Sequence, residues 1–119
     1  MTAVGDRPVV YTVGDGAFLY NPIVQSLEAS RSHHPPLLIV VFNNGQYRSM
    51  KMNHLRFYPG GAAVGTGEFL GVDLSGQPEL SELGAPFDMR GEAVTRLDEL
   101  VPALDRALNA VLELALITI

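Results

Sequence analysis

Val9-Val10-Tyr11-Thr12-Val13-Gly14-Asp15-Gly16 and, after residues 17–36, Leu37-Leu38-Ile39-Val40-Val41-Phe42-Asn43-Asn44 are the two stretches that decide the fold. Each is an apolar run that closes on a short polar cluster. Runs of this length and make-up read as buried parallel strands over 9–13 and 37–42. Between them, Asn21-Pro22 reads as a helix start, with Asn as N-cap and Pro in the first helical position. Ile23, Val24 and Leu27 then form an apolar stripe, with Gln25 and Glu28 on the wet side. His33-His34-Pro35-Pro36 stops the helix, because proline disfavours helical backbone in the residue before it. Strand, helix, strand make one βαβ unit with a right-handed crossover and parallel strands. Both polar clusters then fall at the carboxyl edge of the sheet, where open α/β sheets bind ligands.

Outward from this unit the signals weaken. Asn43-Asn44-Gly45 is a turn, and a short helix is expected over about 46–52. Residues 57–77 are glycine-rich and read as a long irregular loop. A short helix over 78–83 and a weak strand over 89–94 follow. Asp98 is read as the cap of a helix running to about 111, with Val101, Leu104, Leu108 and Val111 spaced by threes and fours. Pro102 fits that helix only in its first turn. Residues 114–119 read as a last strand. The expectation is one α/β domain over 1–119, a parallel sheet with βαβ crossovers.

The composition narrows the function classes. Of 119 residues 47% are hydrophobic, so the chain can build a core, although a parallel sheet this small leaves edges poorly covered. A net charge of −5, with the basic residues scattered, argues against a nucleic-acid surface. With no cysteine there are no disulfides, thiolate metal sites or thiol nucleophiles. No charged leader precedes an apolar stretch, and no apolar run approaches membrane length, so the location expected is the cytoplasm.

Asp-Gly and Asn-Asn-Gly are common turn sequences, and either cluster alone is more often a turn than a site. Together they place a carboxylate, amide side chains and two glycines side by side. Hard oxygens of this kind suit Mg²⁺, which takes about six of them and commonly shares the shell with phosphate. Gly14 and Gly16 let backbone N–H groups approach an oxyanion. The residues thus point to a divalent cation and a phosphate-bearing ligand. They also fit a non-catalytic α/β module that binds Mg²⁺ or a nucleotide, or that only packs on a partner.

Gly14-Asp15-Gly16, twenty-six residues, and Asn43-Asn44 resemble the thiamine-diphosphate motif. The similarity continues through Ala17-Phe18-Leu19-Tyr20-Asn21-Pro22 and Val41-Phe42-Asn43-Asn44-Gly45-Gln46-Tyr47, through Gly71-Val72-Asp73-Leu74, and through Leu80 to Phe87. The chain resembles the C-terminal pyrophosphate domain of the acetolactate synthase, benzoylformate decarboxylase and pyruvate decarboxylase group. That resemblance implies thiamine diphosphate and Mg²⁺ as cofactors. Asp15, the Asn44 amide and the Gln46 carbonyl would ligate the metal. Gly14, Gly16 and Ala17 would line the diphosphate, and Asn43 would brace the turn. The chemistry would be the cofactor's, decarboxylating or carboligating a 2-oxo acid, with no catalytic residue assigned to this chain. Tyr47, Met50 and Met52 fall where similar enzymes place a helix beside the substrate, or else they form a packed apolar face. His33 and His34 are read as solvated and Glu68 and Asp73 as polar loop residues, while His54 has no partner that the sequence identifies and is given no catalytic role. The group's activating glutamate belongs to a separate pyrimidine-binding domain and has no match here. The domain is therefore expected to be incomplete on its N-terminal side. It would be inactive alone and oligomeric, working with a pyrimidine-binding domain on another chain or in a missing segment.

Overall fold

A computed structural model describes residues 7–110 and 115–119. In chain order its elements are β1 (Val9–Gly14), α1 (Asp15–Tyr20), α2 (Ile23–His33), β2 (Leu37–Phe42), α3 (Arg48–Phe57) and α4 (Ala62–Thr66). A 3₁₀ segment (Leu80–Phe87), β3 (Arg90–Ala93), α5 (Leu97–Asn109) and β4 (Ala115–Thr118) complete it. The strands form one parallel sheet in the order β1-β2-β4-β3. The register pairs Val9 with Leu37 and Gly14 with Phe42, so the two polar clusters leave the sheet at the same edge.

The two-residue alternation of β2 divides the core. Ile39 and Val41 face Val13, Phe18, Leu27, Leu80 and Met89, beneath α1, α2 and the 3₁₀ segment. Leu38 and Val40 face Val94, Ala103, Ala115 and Ile117, beneath α5. Helices on both sides make β2 a doubly buried strand, with Val41 fully buried. β1 departs from the expectation of a second buried strand. It is the sheet edge, and Val9, Val10 and Tyr11 are 38%, 50% and 47% exposed. Its composition matches β2, but only one neighbouring strand covers it.

Local corrections follow from backbone hydrogen bonding. Gly14-Asp15-Gly16 is not a separate turn, because the strand passes straight into α1 at Asp15. Asn21 does not cap α2; it ends α1, its amide donating to the Ala17 carbonyl at 2.6 Å, and Pro22 flanks the helix that starts at Ile23. At the other end, His34 takes a left-handed φ of 44° and its N–H donates to the Ser30 carbonyl, closing the helix just ahead of the two prolines. α3 starts later and runs further than 46–52. α4 interrupts the 57–77 loop. The 78–83 helix is a 3₁₀ segment shifted to Leu80–Phe87. In α5 the N-cap is Arg96, while Asp98 sits in the first turn and is gripped at 2.8 and 3.0 Å by the Arg96 guanidinium. Pro102 is the sixth residue of α5, beyond the first turn, so the Asp98 carbonyl loses its helical donor. The expected helix end at Val111 lies outside the described residues.

The 3₁₀ segment sits tightly on β3. A Cβ on Gly91 would come within 1.9 Å of the Ser81 carbonyl oxygen, so that backbone approach requires glycine. Arg106 of α5 pairs with Glu92 of β3 and holds that carboxyl below its usual range. The molecule is elongated, 53 × 32 × 24 Å, with a radius of gyration of 17.0 Å where a compact chain of this length has about 13–14 Å. Neither α3 nor α4 contains a buried residue, and Met50, Met52, Leu55 and Phe57 of α3 are exposed.

Candidate functional site

Asp15 opens α1 directly from the end of β1 and is only 2% exposed. Its Oδ1 accepts the N–H of Gly16 at 2.8 Å. Its Oδ2 is buried with no hydrogen-bond partner, and among the described residues no Lys, Arg or His forms an ion pair with it. Burying a carboxylate oxygen without a donor is costly, and such orphans call for an ion or ligand.

The second cluster is held by its own side chains. Asn43 Oδ1 accepts from the Gly45 N–H at 3.0 Å and from the Gln77 amide at 3.1 Å, so Asn43 braces the turn. Asn44 Oδ1 accepts the Gln46 N–H at 3.0 Å, and Gly45 has a φ of +65° that favours glycine. The Gln46 carbonyl accepts the Arg48 N–H at 2.9 Å, leaving one lone pair. The turn is then clamped from the far side. Gln46 pairs antiparallel with Asp73, the Tyr47 N–H donates to the Val72 carbonyl, and the Leu74 N–H donates to the Gly45 carbonyl, both at 2.8 Å. That short ladder ties Asp73, which lies in the loop between α4 and the 3₁₀ segment, to the turn. Asp73 Oδ1 accepts from the Ser75 N–H at 2.9 Å, and bonds to the Ser75 backbone and side chain hold its carboxyl below the usual range.

The two clusters meet. Tyr47 is half-buried with its ring against Gly16, where a Cβ would lie 2.6 Å from two ring carbons. Asp15, Gly16 and the Asn43–Tyr47 turn therefore share one corner of the sheet's carboxyl edge. Among the described residues no three of His, Asp and Glu gather to hold a metal. A cation here would take one carboxylate, an amide and a carbonyl from the protein, a set that suits hard Mg²⁺ only if a ligand adds oxygens. The orphaned Asp15 Oδ2 fits that demand.

Of the remaining sequence candidates, Met50 and Met52 are each 53% exposed, and His33 and His34 are exposed. His54 has partners that the sequence does not reveal. Its ring lies 6.2 Å from Phe69, edge-on, and 6.4 Å from Tyr58, and Nδ1 is 3.2 Å from the Met50 carbonyl. Nor does the sequence signal the contact of Lys51, whose ammonium rests 5.1 Å from the Phe69 ring centroid.

The family model of the thiamine pyrophosphate enzyme C-terminal TPP-binding domain matches residues 1–119. The sulfoacetaldehyde acetyltransferase of Roseovarius nubinhibens is 32% identical over 105 residues, covering 87% of this chain and 16% of that protein. The enzyme of the same name from Alcaligenes xylosoxydans is 28% identical over 107 residues, 90% of this chain and 16% of its own length. The crystal structure of benzoylformate decarboxylase from Polynucleobacter necessarius superposes with a TM-score of 0.75 at 29% identity, over 95% of this chain and 19% of that one. The chain thus spans about a sixth of the length of the curated relatives it matches.

Proposed function

This chain belongs to the thiamine pyrophosphate enzyme family, as its C-terminal TPP-binding domain, and from that premise we propose that it anchors the diphosphate of thiamine diphosphate through Mg²⁺ at the corner between β1 and β2. The observation that carries the proposal is the buried, partnerless Oδ2 of Asp15 at the carboxyl edge of a parallel sheet. Asp15 would bind the metal through that oxygen. The Asn44 amide oxygen would bind it after giving up the Gln46 N–H, and the Gln46 carbonyl would use its free lone pair. The backbone N–H of Ala17, and that of Gly16 after leaving Asp15 Oδ1, would meet the diphosphate oxygens, with Gly14 leaving the approach clear. Near Gly14 no heavy atom outside its neighbours lies within 4 Å of a built Cβ, which is consistent with an open approach.

When bound, thiamine diphosphate supplies a carbon nucleophile and an electron sink for a 2-oxo acid. The residues of this chain would bind and orient it. Carboxylate and diphosphate repel each other without a cation between them, so metal and cofactor bind together. We assign this chain to an enzyme that decarboxylates or carboligates 2-oxo acids, with the cofactor-activating glutamate on a pyrimidine-binding domain in another chain or another part of a longer polypeptide. By itself it turns over no 2-oxo acid.

Calorimetric titration of the chain with thiamine diphosphate, with and without Mg²⁺, tests the assignment. Binding should require Mg²⁺, and Asp15→Asn should weaken it by about tenfold or more, since loss of a group that merely supports a metal ligand already costs that much. Metal-independent affinity, or an unaltered affinity in Asp15→Asn, would overturn it.

A further inference from the structure

Beside the Asn44–Gln46 turn, on the side clamped by Val72 and Asp73, lies an open surface recess of about 370 Å³. Asn44, Gly45, Gln46, Lys51, Phe69 and Asp73 are among its lining residues, and Asp15 is not. Lys51 brings the cation to its wall. It projects from the first turn of α3, is half-buried, and forms no ion pair with any described residue. Its ammonium lies over the Phe69 ring at 5.1 Å, and the His54 ring meets that ring edge-on at 6.2 Å. The only carboxylate on the wall, Asp73, already accepts from Ser75. An unpaired ammonium, positioned by an aromatic ring and facing a recess on the metal turn, is organised to receive an oxyanion.

We propose that Lys51 is an oxyanion-binding residue beside the metal turn, seated by Phe69. The group it receives is an oxyanion, a phosphate or a carboxylate, and the probes below distinguish the cofactor's phosphate from the carboxylate of the 2-oxo acid as its source. This rests on the proposed cofactor reading, and it adds a specificity-determining cation that the Gly-Asp-Gly and Asn-Asn clusters do not include.

Three calorimetric titrations of the full chain in Mg²⁺ separate the possibilities. The probes are inorganic pyrophosphate, thiamine diphosphate, and pyruvate added to the thiamine-diphosphate-saturated chain. Lys51→Met and Lys51→Gln should each weaken at least one probe by about tenfold or more, the worth of one charge-assisted hydrogen bond. Lys51→Arg should recover most of that loss, which a merely structural lysine would not require. Phe69→Leu should cause a smaller loss on the same probe. Weakened pyrophosphate and thiamine diphosphate would identify the cofactor's phosphate as the oxyanion; pyruvate weakened alone would identify the acid. If both Lys51 variants bind all three probes as the unaltered chain does, the proposal is overturned. In that case a loss in Asp15→Asn leaves the cofactor reading standing. Failure of the unaltered chain to bind any probe would sink both.

Discussion

Asp15 Oδ2 is buried without a donor, and that arrangement has opposite consequences for the free and the loaded protein. In the free chain a carboxylate kept from water is a cost, and a neutral amide of the same shape costs less. Asp15→Asn should therefore stabilise the ligand-free chain by about 1 kcal/mol, in line with the usual gain on relaxing a functional site. The same variant should lose the metal-dependent binding already described. Urea unfolding without ligand measures the first effect, and a lower midpoint for the variant would contradict it. Gly16 shows a related economy. Its hydrogen atom gives the Tyr47 ring its seat, so the contact joining the two clusters depends on a residue with no side chain.

Among the elements, β3 and the 3₁₀ segment show how close backbone packing replaces side-chain packing. β3 is only four residues long, Arg-Gly-Glu-Ala, and offers little apolar surface. It is held by β4 on one side and by the Ser81 backbone lying against Gly91. Gly91→Ala would drive a methyl group into a carbonyl oxygen that belongs to backbone and cannot rotate away. A loss of about 2–3 kcal/mol is expected, the upper part of the range for overpacking. Denaturant unfolding reads it, and a change under about 0.5 kcal/mol would show that the 3₁₀ segment shifts freely. On the opposite side of the sheet, β1 shows what the lack of a second neighbouring strand leaves behind: valines of high strand propensity, half in water.

At the scale of the whole molecule, the exposed β1 edge and the unburied α3–α4 pair leave more apolar surface in water than a compact chain of this length would. Such surfaces pair with other chains. The purified chain should associate in a concentration-dependent manner, measured by sedimentation velocity. Val10→Lys, on the uncovered face of the edge strand, should move the distribution toward monomer. A chain that stays monomeric at about 100 μM would exclude the edge as an association surface, since exposed edges of this kind are aggregation templates. Among the described residues no helix is long and apolar enough to cross a membrane.

The sequence alone determined the βαβ unit, the parallel sense of its strands and the common edge of its two clusters. These follow from local pattern: apolar runs, a two-proline stop, and the geometry of one crossover. It also marked Asp15, Asn43 and Asn44 as polar groups gathered at two strand ends, either of which alone reads as a turn, and the resemblance to the thiamine-diphosphate motif added Gln46. It did not show which strand lies at the edge, since β1 and β2 have similar compositions and differ only in how many neighbours they acquire. Nor did it place Lys51 on Phe69, His54 among rings, Tyr47 on Gly16, or Asp73 against Gln46. Those contacts join residues up to 31 positions apart, as in Gly16 and Tyr47. Short-range periodicity carries no information about such pairs. The tertiary structure alone decided that Oδ2 of the buried Asp15 carboxylate would lack a partner, because that depends on every group that could have reached it and did not.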